Sequence, residues 1–260
     1  MYNKCVLKDA LKEKKMKKLL TVLLAMLMVL TLAGCSKEEG TDTDTDVEPV
    51  EPVTAKNTYA DFVAAEVDTE LELIMSVQAH ESWWDGKCTI YGQDDDGGYL
   101  VYEAACDEAT AESLVEGTLI KVTGYKAEWS GELELADATI EVLEDAGKVY
   151  DFEDLTSLIG NNDELANHMN EKASFKNLTV VNYTYNWDGS GTRDNSDVYL
   201  NVTDENGTEI VFVVRRYLTT PDSEIFQAVE ALQAGDVVDL DTYLYWYEGP
   251  QARIFGVNKH

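Results

Sequence analysis

Apolar and polar residues alternate along several short stretches of the second half of this chain and much of its middle, with the two-residue period of half-buried strands. Residues 70–79 read as one strand, 88–93 and 99–104 as a hairpin around an Asp-Gly turn, and two further strands bracket Trp129-Ser130-Gly131. Between the third and fourth strands, residues 109–115 have the composition of a short helix that ends at Gly117. A second set follows in the same order. Residues 173–185, 198–202, 209–215 and a pair around Glu248-Gly249 are its strands. Its helix is clearer, because Ile225, Phe226, Val229 and Leu232 share one face, Asp222 or Ser223 caps the start and Gly235 stops the end.

The two sets are an internal repeat. GTLIKVTGYKAEWSGELEL begins at Gly117 and GDVVDLDTYLYWYEGPQAR at Gly235, so that Gly117 aligns with Gly235, Tyr125 with Tyr243 and Gly131 with Gly249. Upstream, Trp84-Asp85-Gly86 corresponds to Trp187-Asp188-Gly189. Self-similarity at this spacing implies one duplicated unit, with bounds predicted at 57–146 and 147–260. Three strands, a helix and two strands is the order of the five-stranded OB barrel. The predicted fold class is therefore all-β with short helices, as two tandem five-stranded OB-like barrels.

On GTLIKVTGY with EWSGE in the first unit, and GDVVDL with YWYEGPQ in the second, the chain resembles the tandem OB-like surface lipoproteins of gut and clostridial bacteria. That resemblance implies a fold and no reaction. It agrees with the N-terminus, where Lys14, Lys15, Lys17 and Lys18 precede an apolar run over 19–32. The run is shorter than a bilayer span and reads as a secretory signal over 1–34, with residues 1–15 upstream of a second start at Met16. Leu32-Ala33-Gly34-Cys35 resembles a lipobox, which implies lipid on Cys35 and a place on the outer face of the cytoplasmic membrane, or on a periplasmic face in a two-membrane cell. Residues 35–56, with their Thr-Asp repeat and Glu-Pro steps, read as an acidic, disordered tether.

Charge narrows the partners. The chain carries 20 basic and 50 acidic residues, a formal charge of −30. Removing 1–34 takes away seven lysines and two acids and leaves 13 against 48, or −35. Such a polyanion is expected to bind nucleic acid poorly, since binding through counterion release needs clustered Lys and Arg and the one adjacent basic pair in the mature chain is Arg215-Arg216.

Candidate chemistry is sparse. There is no Gly-x-Ser-x-Gly, phosphate-binding Gly-x-x-x-x-Gly-Lys or Cys-x-x-Cys. His80-Glu81 lacks the second histidine of a zinc-protease motif, because Trp84 stands in its place. No catalytic residue, metal ligand or cofactor is expected. Cys88 and Cys106 are the one pair available for a disulfide in the mature chain, and they either bridge or stand as two thiols.

The aromatic residues are more informative. Trp83, Trp84 and Trp187 fall in the loops after each unit's first strand, while Trp129, Tyr245, Trp246 and Tyr247 fall at the turns joining the last two strands. In an OB barrel those loops border the ligand face. The expected function is accordingly a lipid-anchored binding or adaptor protein for a glycan, a peptide or a partner protein. An OB-fold single-stranded nucleic-acid binder, or a hydrolase with no recognised motif, is the alternative. The pattern does not determine an oligomeric state.

Overall fold

The computed structural model describes residues 54–260. The signal, Cys35 and nearly all of the tether lie outside the described residues. Residues 54–260 belong to one compact unit.

The first barrel is built from β1 (Glu70–His80), β2 (Lys87–Gln93), β3 (Gly98–Ala105), β4 (Thr118–Trp129) and β5 (Glu132–Ala146). It closes in the order β1-β2-β3-β5-β4, with β3 parallel to β5 and every other pair antiparallel. Leu71, Leu73, Met75 and Val77 point inward at alternate positions of β1 and meet Ile90, Tyr99, Val101, Ile120, Val122 and Leu135. The short helix Glu108–Ser113 bridges β3 and β4, its N-terminus capped by Asp107, whose carboxylate accepts from the Thr110 N–H.

The second sheet repeats this cycle. β7 (Lys172–Tyr185), β8 (Val198–Thr203), β9 (Glu209–Val214), β10 (Val237–Tyr243) and β11 (Arg253–Lys259) pair as β7-β8-β9-β11-β10, and β10 returns to β7. The parallel pair is again the third strand with the fifth. A two-residue strand, β6 (Glu153–Asp154), adds to β7. Ser223 caps the helix Glu224–Glu230, which drives Phe226 and Val229 into a core with Phe175, Phe212 and Leu240. Gly117 and Gly235 both hold positive φ, +86° and +90°, where the chain leaves the helical segment for the fourth strand of its unit.

A helix ahead of the first barrel escapes the pattern reading. Tyr59–Ala64 starts at a capping box in which the Thr58 hydroxyl accepts from the Asp61 N–H and the Asp61 carboxylate accepts from the Thr58 N–H. Its buried Phe62 joins the first core, with Tyr59 and Tyr99 packed around it.

A third, small core lies between the barrels. Tyr91 and Leu100, on the outer face of β2 and β3, pack against Tyr243 with Phe255 and Leu218 around them. Polar contacts converge on the same junction. Tyr243 Oη donates to the Gln78 carbonyl at 2.7 Å, and the Ser82 N–H donates to the Tyr217 carbonyl at 2.7 Å. The fully buried Glu132 accepts from the Trp246 N–H at 2.7 Å and from Asn170 Nδ2. Burial pushes its carboxyl up to about 8, against the lowering effect of those two donors.

Candidate nucleic-acid interface

The groove beside this junction follows from strand alternation. In β2, Cys88 and Ile90 face the first core, so Thr89 and Tyr91 face out. In β3, Tyr99 and Val101 face in, and Leu100 and Tyr102 face out. The second barrel docks along that outer face and brings the segment after β9, the β10–β11 connection and the start of β11 against it. Two adjoining hollows of about 420 and 410 Å³ result, sharing Glu81, Thr89, Tyr102 and Arg215 on their walls. Trp84 and Tyr217 stand in the first, and Trp129, Tyr245 and Arg253 in the second.

Cations and aromatic rings are interleaved here. The Arg215 guanidinium lies 4.9 Å from the Tyr217 ring centre and that of Arg253 lies 3.9 Å from the Tyr245 ring centre. Arg215 Nε donates to Glu81 at 2.9 Å and its Nη1 to Asp197 at 3.1 Å. Lys87 pairs with Glu103 at 2.8 Å. Burial, and then the charge of Glu103, raise the Glu134 carboxyl above the ordinary carboxylate range. Most carboxylates on these walls are thus already neutralised by a neighbour or shifted toward the protonated form. Exposed aromatic faces remain, with Trp84 80% and Trp129 62% exposed.

Of the aromatic residues expected at a ligand face, Trp84, Trp129 and Tyr245 meet in this groove. Trp83 turns inward instead, packing on the first core with its Nε1 donating to the Cys106 carbonyl at 3.0 Å. Trp246 packs on the second core and covers Gly131, where an added Cβ would come within 3.0 Å of the indole. Trp187 is 75% exposed on the loop between β7 and β8, and Tyr247 is exposed, but neither lines the groove. Tyr102, Tyr217, Arg215 and Arg253 complete the surface. Cys88 and Cys106 are both free thiols, with Cys88 buried and its Sγ donating to the Glu81 carbonyl.

A second grouping, around His168, was not expected from the sequence, which predicts no metal ligand. Its Nδ1 lies 2.9 Å from Glu171 Oε2 and 3.8 Å from Glu153 Oε2, and the three ligand atoms fit within 4.8 Å of one another. One imidazole and two carboxylates are a donor set that a divalent cation such as zinc accepts.

No protein-family model matches the chain, and no curated protein sequence matches it. Solved structures do. The chain is similar to a murine DNA-binding protein bound to double-stranded DNA, at 13% identity and TM-score 0.36 over 73% of this chain and 96% of that one. It is similar to a replication protein A heterotrimer bound to single-stranded DNA, at 12% identity and TM-score 0.32 over 74% of this chain and 49% of that one. A variant of the single-stranded DNA-binding protein from Thermus aquaticus matches at 16% identity and TM-score 0.26, over 74% and 93% of the two chains. Likeness at this level concerns the arrangement of strands, which is OB-like.

These findings correct two expectations drawn from charge. The expected glycan, peptide or protein adaptor has no counterpart among these matches, and the expectation that nucleic acid is an unlikely partner stands against matches that are themselves DNA-binding proteins. The physical reason is local. A formal charge of −30 is an average over 260 residues, whereas the groove walls gather Lys87, Arg215 and Arg253 beside Glu81, Asp85, Glu103 and Glu134 and so lie nearer charge balance than the chain as a whole.

Proposed function

We propose that the chain is a binding protein for single-stranded nucleic acid, held along the groove between its two OB-like units, 57–146 and 147–260, and that it is not an enzyme. The observation that carries this reading is the meeting of Arg215 and Arg253 with Trp84, Tyr102, Trp129, Tyr217 and Tyr245 on one continuous surface. Base stacking on such rings contributes roughly 1–3 kcal/mol per base and tolerates any sequence. A duplex hides the faces of its bases, so a single strand is the form this surface suits. With few cations, affinity rests on stacking, and the salt dependence is shallow, with a slope of about −0.7 for each phosphate contact.

The test is fluorescence polarisation of a labelled oligothymidylate at several salt concentrations, with Trp84→Ala and Trp129→Ala as variants. Saturable binding that both variants weaken supports the reading. Absence of binding at low salt refutes it.

We propose separately, from the N-terminal sequence, that the protein lies outside the cytoplasmic membrane, anchored through lipid on Cys35, as a signal peptide-bearing surface lipoprotein. Support comes from the lysines, the apolar run and Leu32-Ala33-Gly34-Cys35. Cys35→Ser should release the protein from the membrane fraction, and unchanged retention refutes the anchor.

A further inference from the structure

Among the cations that line the groove, Arg253 is the one without a carboxylate. Lys87 is paired with Glu103, and Arg215 is held by Glu81 and Asp197. Arg253 is 7% exposed, and among the described residues no acidic oxygen lies within 4.0 Å of its guanidinium. Its one hydrogen bond runs from Nη1 to Gln251 Oε1 at 3.3 Å, and its buried Nε has no partner. Stacking on Tyr245 at 3.9 Å supplies attraction from the ring face but no acceptor. A guanidinium desolvated to this degree is ordinarily compensated by a carboxylate or another oxyanion, for which its planar fork of donors is shaped.

The surroundings leave room for one. Arg253 stands on the wall of the 410 Å³ hollow, beside Trp129, Tyr245 and Tyr102, and the hollow opens to the surface at the exposed Trp129. Two carboxylates share that wall. Glu81 is committed to Arg215, and Glu134 makes no ion pair with Arg253. Glu134 is therefore the group an incoming oxyanion would have to tolerate.

We propose that Arg253 is the seat of one oxyanion in the groove, a phosphate group of the bound strand, with Glu134 opposing it as a neighbour that limits its affinity. This rests on the nucleic-acid reading for the identity of the ligand. The oxyanion site itself rests on Arg253 and the hollow.

The experiment compares the full-length protein with Arg253→Gln and Glu134→Gln against three probes: oligothymidylate, the same oligomer with uncharged methylphosphonate linkages, and inorganic phosphate. Arg253→Gln should weaken oligothymidylate binding by about tenfold or more, as expected for loss of a charge-assisted bidentate contact. It should leave the methylphosphonate oligomer unchanged and abolish inorganic phosphate binding. Glu134→Gln should tighten both charged probes. Thermal melting adds a readout that a purely structural arginine would fail: loss of an uncompensated buried cation should leave Tm level or raised.

If the parent binds oligothymidylate and Arg253→Gln binds it equally well, the oxyanion seat is overturned while the nucleic-acid reading stands. If no oligomer binds but inorganic phosphate does, in an Arg253-dependent manner, the seat stands and the nucleic-acid reading falls. Should Arg253→Gln fail to fold, Glu134→Gln decides, because unchanged affinity for both charged probes there overturns the proposal.

Discussion

Glu132 offers a measurement that reports on the junction of the two barrels alone. Its side chain is fully buried at the start of β5, and accepts from the Trp246 N–H of the second barrel and from Asn170 just before β7. Burial moves its carboxyl from an ordinary value of 4.5 up to about 8. Between those values the folded protein binds a proton that the unfolded chain does not, so stability falls as pH rises. Below 4.5 the group is protonated in both states and its contribution is flat; above 8 it is ionised in both, and the loss is complete. Each pH unit within the window corresponds to about 1.4 kcal/mol, and the loss from pH 5 to pH 8 is on the order of 3 kcal/mol. Glu132→Gln removes that dependence but leaves one of the two donors facing an amide nitrogen, at about 1–3 kcal/mol. The variant should therefore melt below the parent at pH 5 and at or above it at pH 8, a relative swing on the order of 10 °C for a unit of this size. Taking the difference in Tm between variant and parent at each pH cancels the other titrating carboxylates. A difference that stays constant from pH 5 to pH 8 would refute a buried, proton-binding Glu132.

Lys126 is 3% exposed, with its Nζ 3.7 Å from the Phe62 ring centre and no hydrogen-bond partner, and burial pushes its amine down to about 8. Lys126→Met should stabilise the protein by about 1 kcal/mol in denaturant titrations below pH 8, where the buried amine is charged in both states. That gain should shrink toward pH 10, because the native amine loses its proton first and parent stability climbs between about 8 and 10.5. Trp84→Ala and Trp187→Ala should each shift stability by less than about 0.5 kcal/mol, since both rings stand in solvent, whereas Trp246→Ala should lose on the order of 3 kcal/mol. Thermal melts of the three separate groove and loop residues from packing residues, and a large loss for Trp84 would remove it from the binding surface.

The strand order is legible because each barrel buries one side of every strand. Leu71, Leu73, Met75 and Val77 alternate with less buried neighbours in β1, and the glycine positions at Gly117 and Gly235 mark equivalent turns of positive φ. The helix Tyr59–Ala64 is not legible in that way. It spans a turn and a half, buries only Phe62, and its one strong signal, Thr58 with Asp61, directly follows an acidic tether whose composition argues for disorder. The aromatic signal divides for a related reason. Adjacent residues at a turn point in different directions, so Trp83 and Trp84 carry the same chemistry in sequence while one seals a core and the other stands in the groove.

The groove itself is hidden from pattern reading because its floor is the outer face of a strand pair. Thr89, Tyr91, Leu100 and Tyr102 sit at positions that alternation assigns to solvent, and Tyr91 and Leu100 become buried only because a second barrel docks on them. The same docking brings Lys87, Arg215 and Arg253 together with Glu81, Asp85, Glu103 and Glu134, so the groove walls lie nearer charge balance than the chain as a whole. Long-range repulsion from a −30 chain is screened beyond roughly 8 Å at physiological ionic strength, whereas a group inside the groove meets Arg253 directly, in surroundings where partners are few and solvent is thin. For the nucleic-acid binding proposed above, net charge would govern how often a polyanion reaches this surface, and the groove how long it stays. A slow association rate joined to a shallow salt slope is the kinetic signature that follows from this separation.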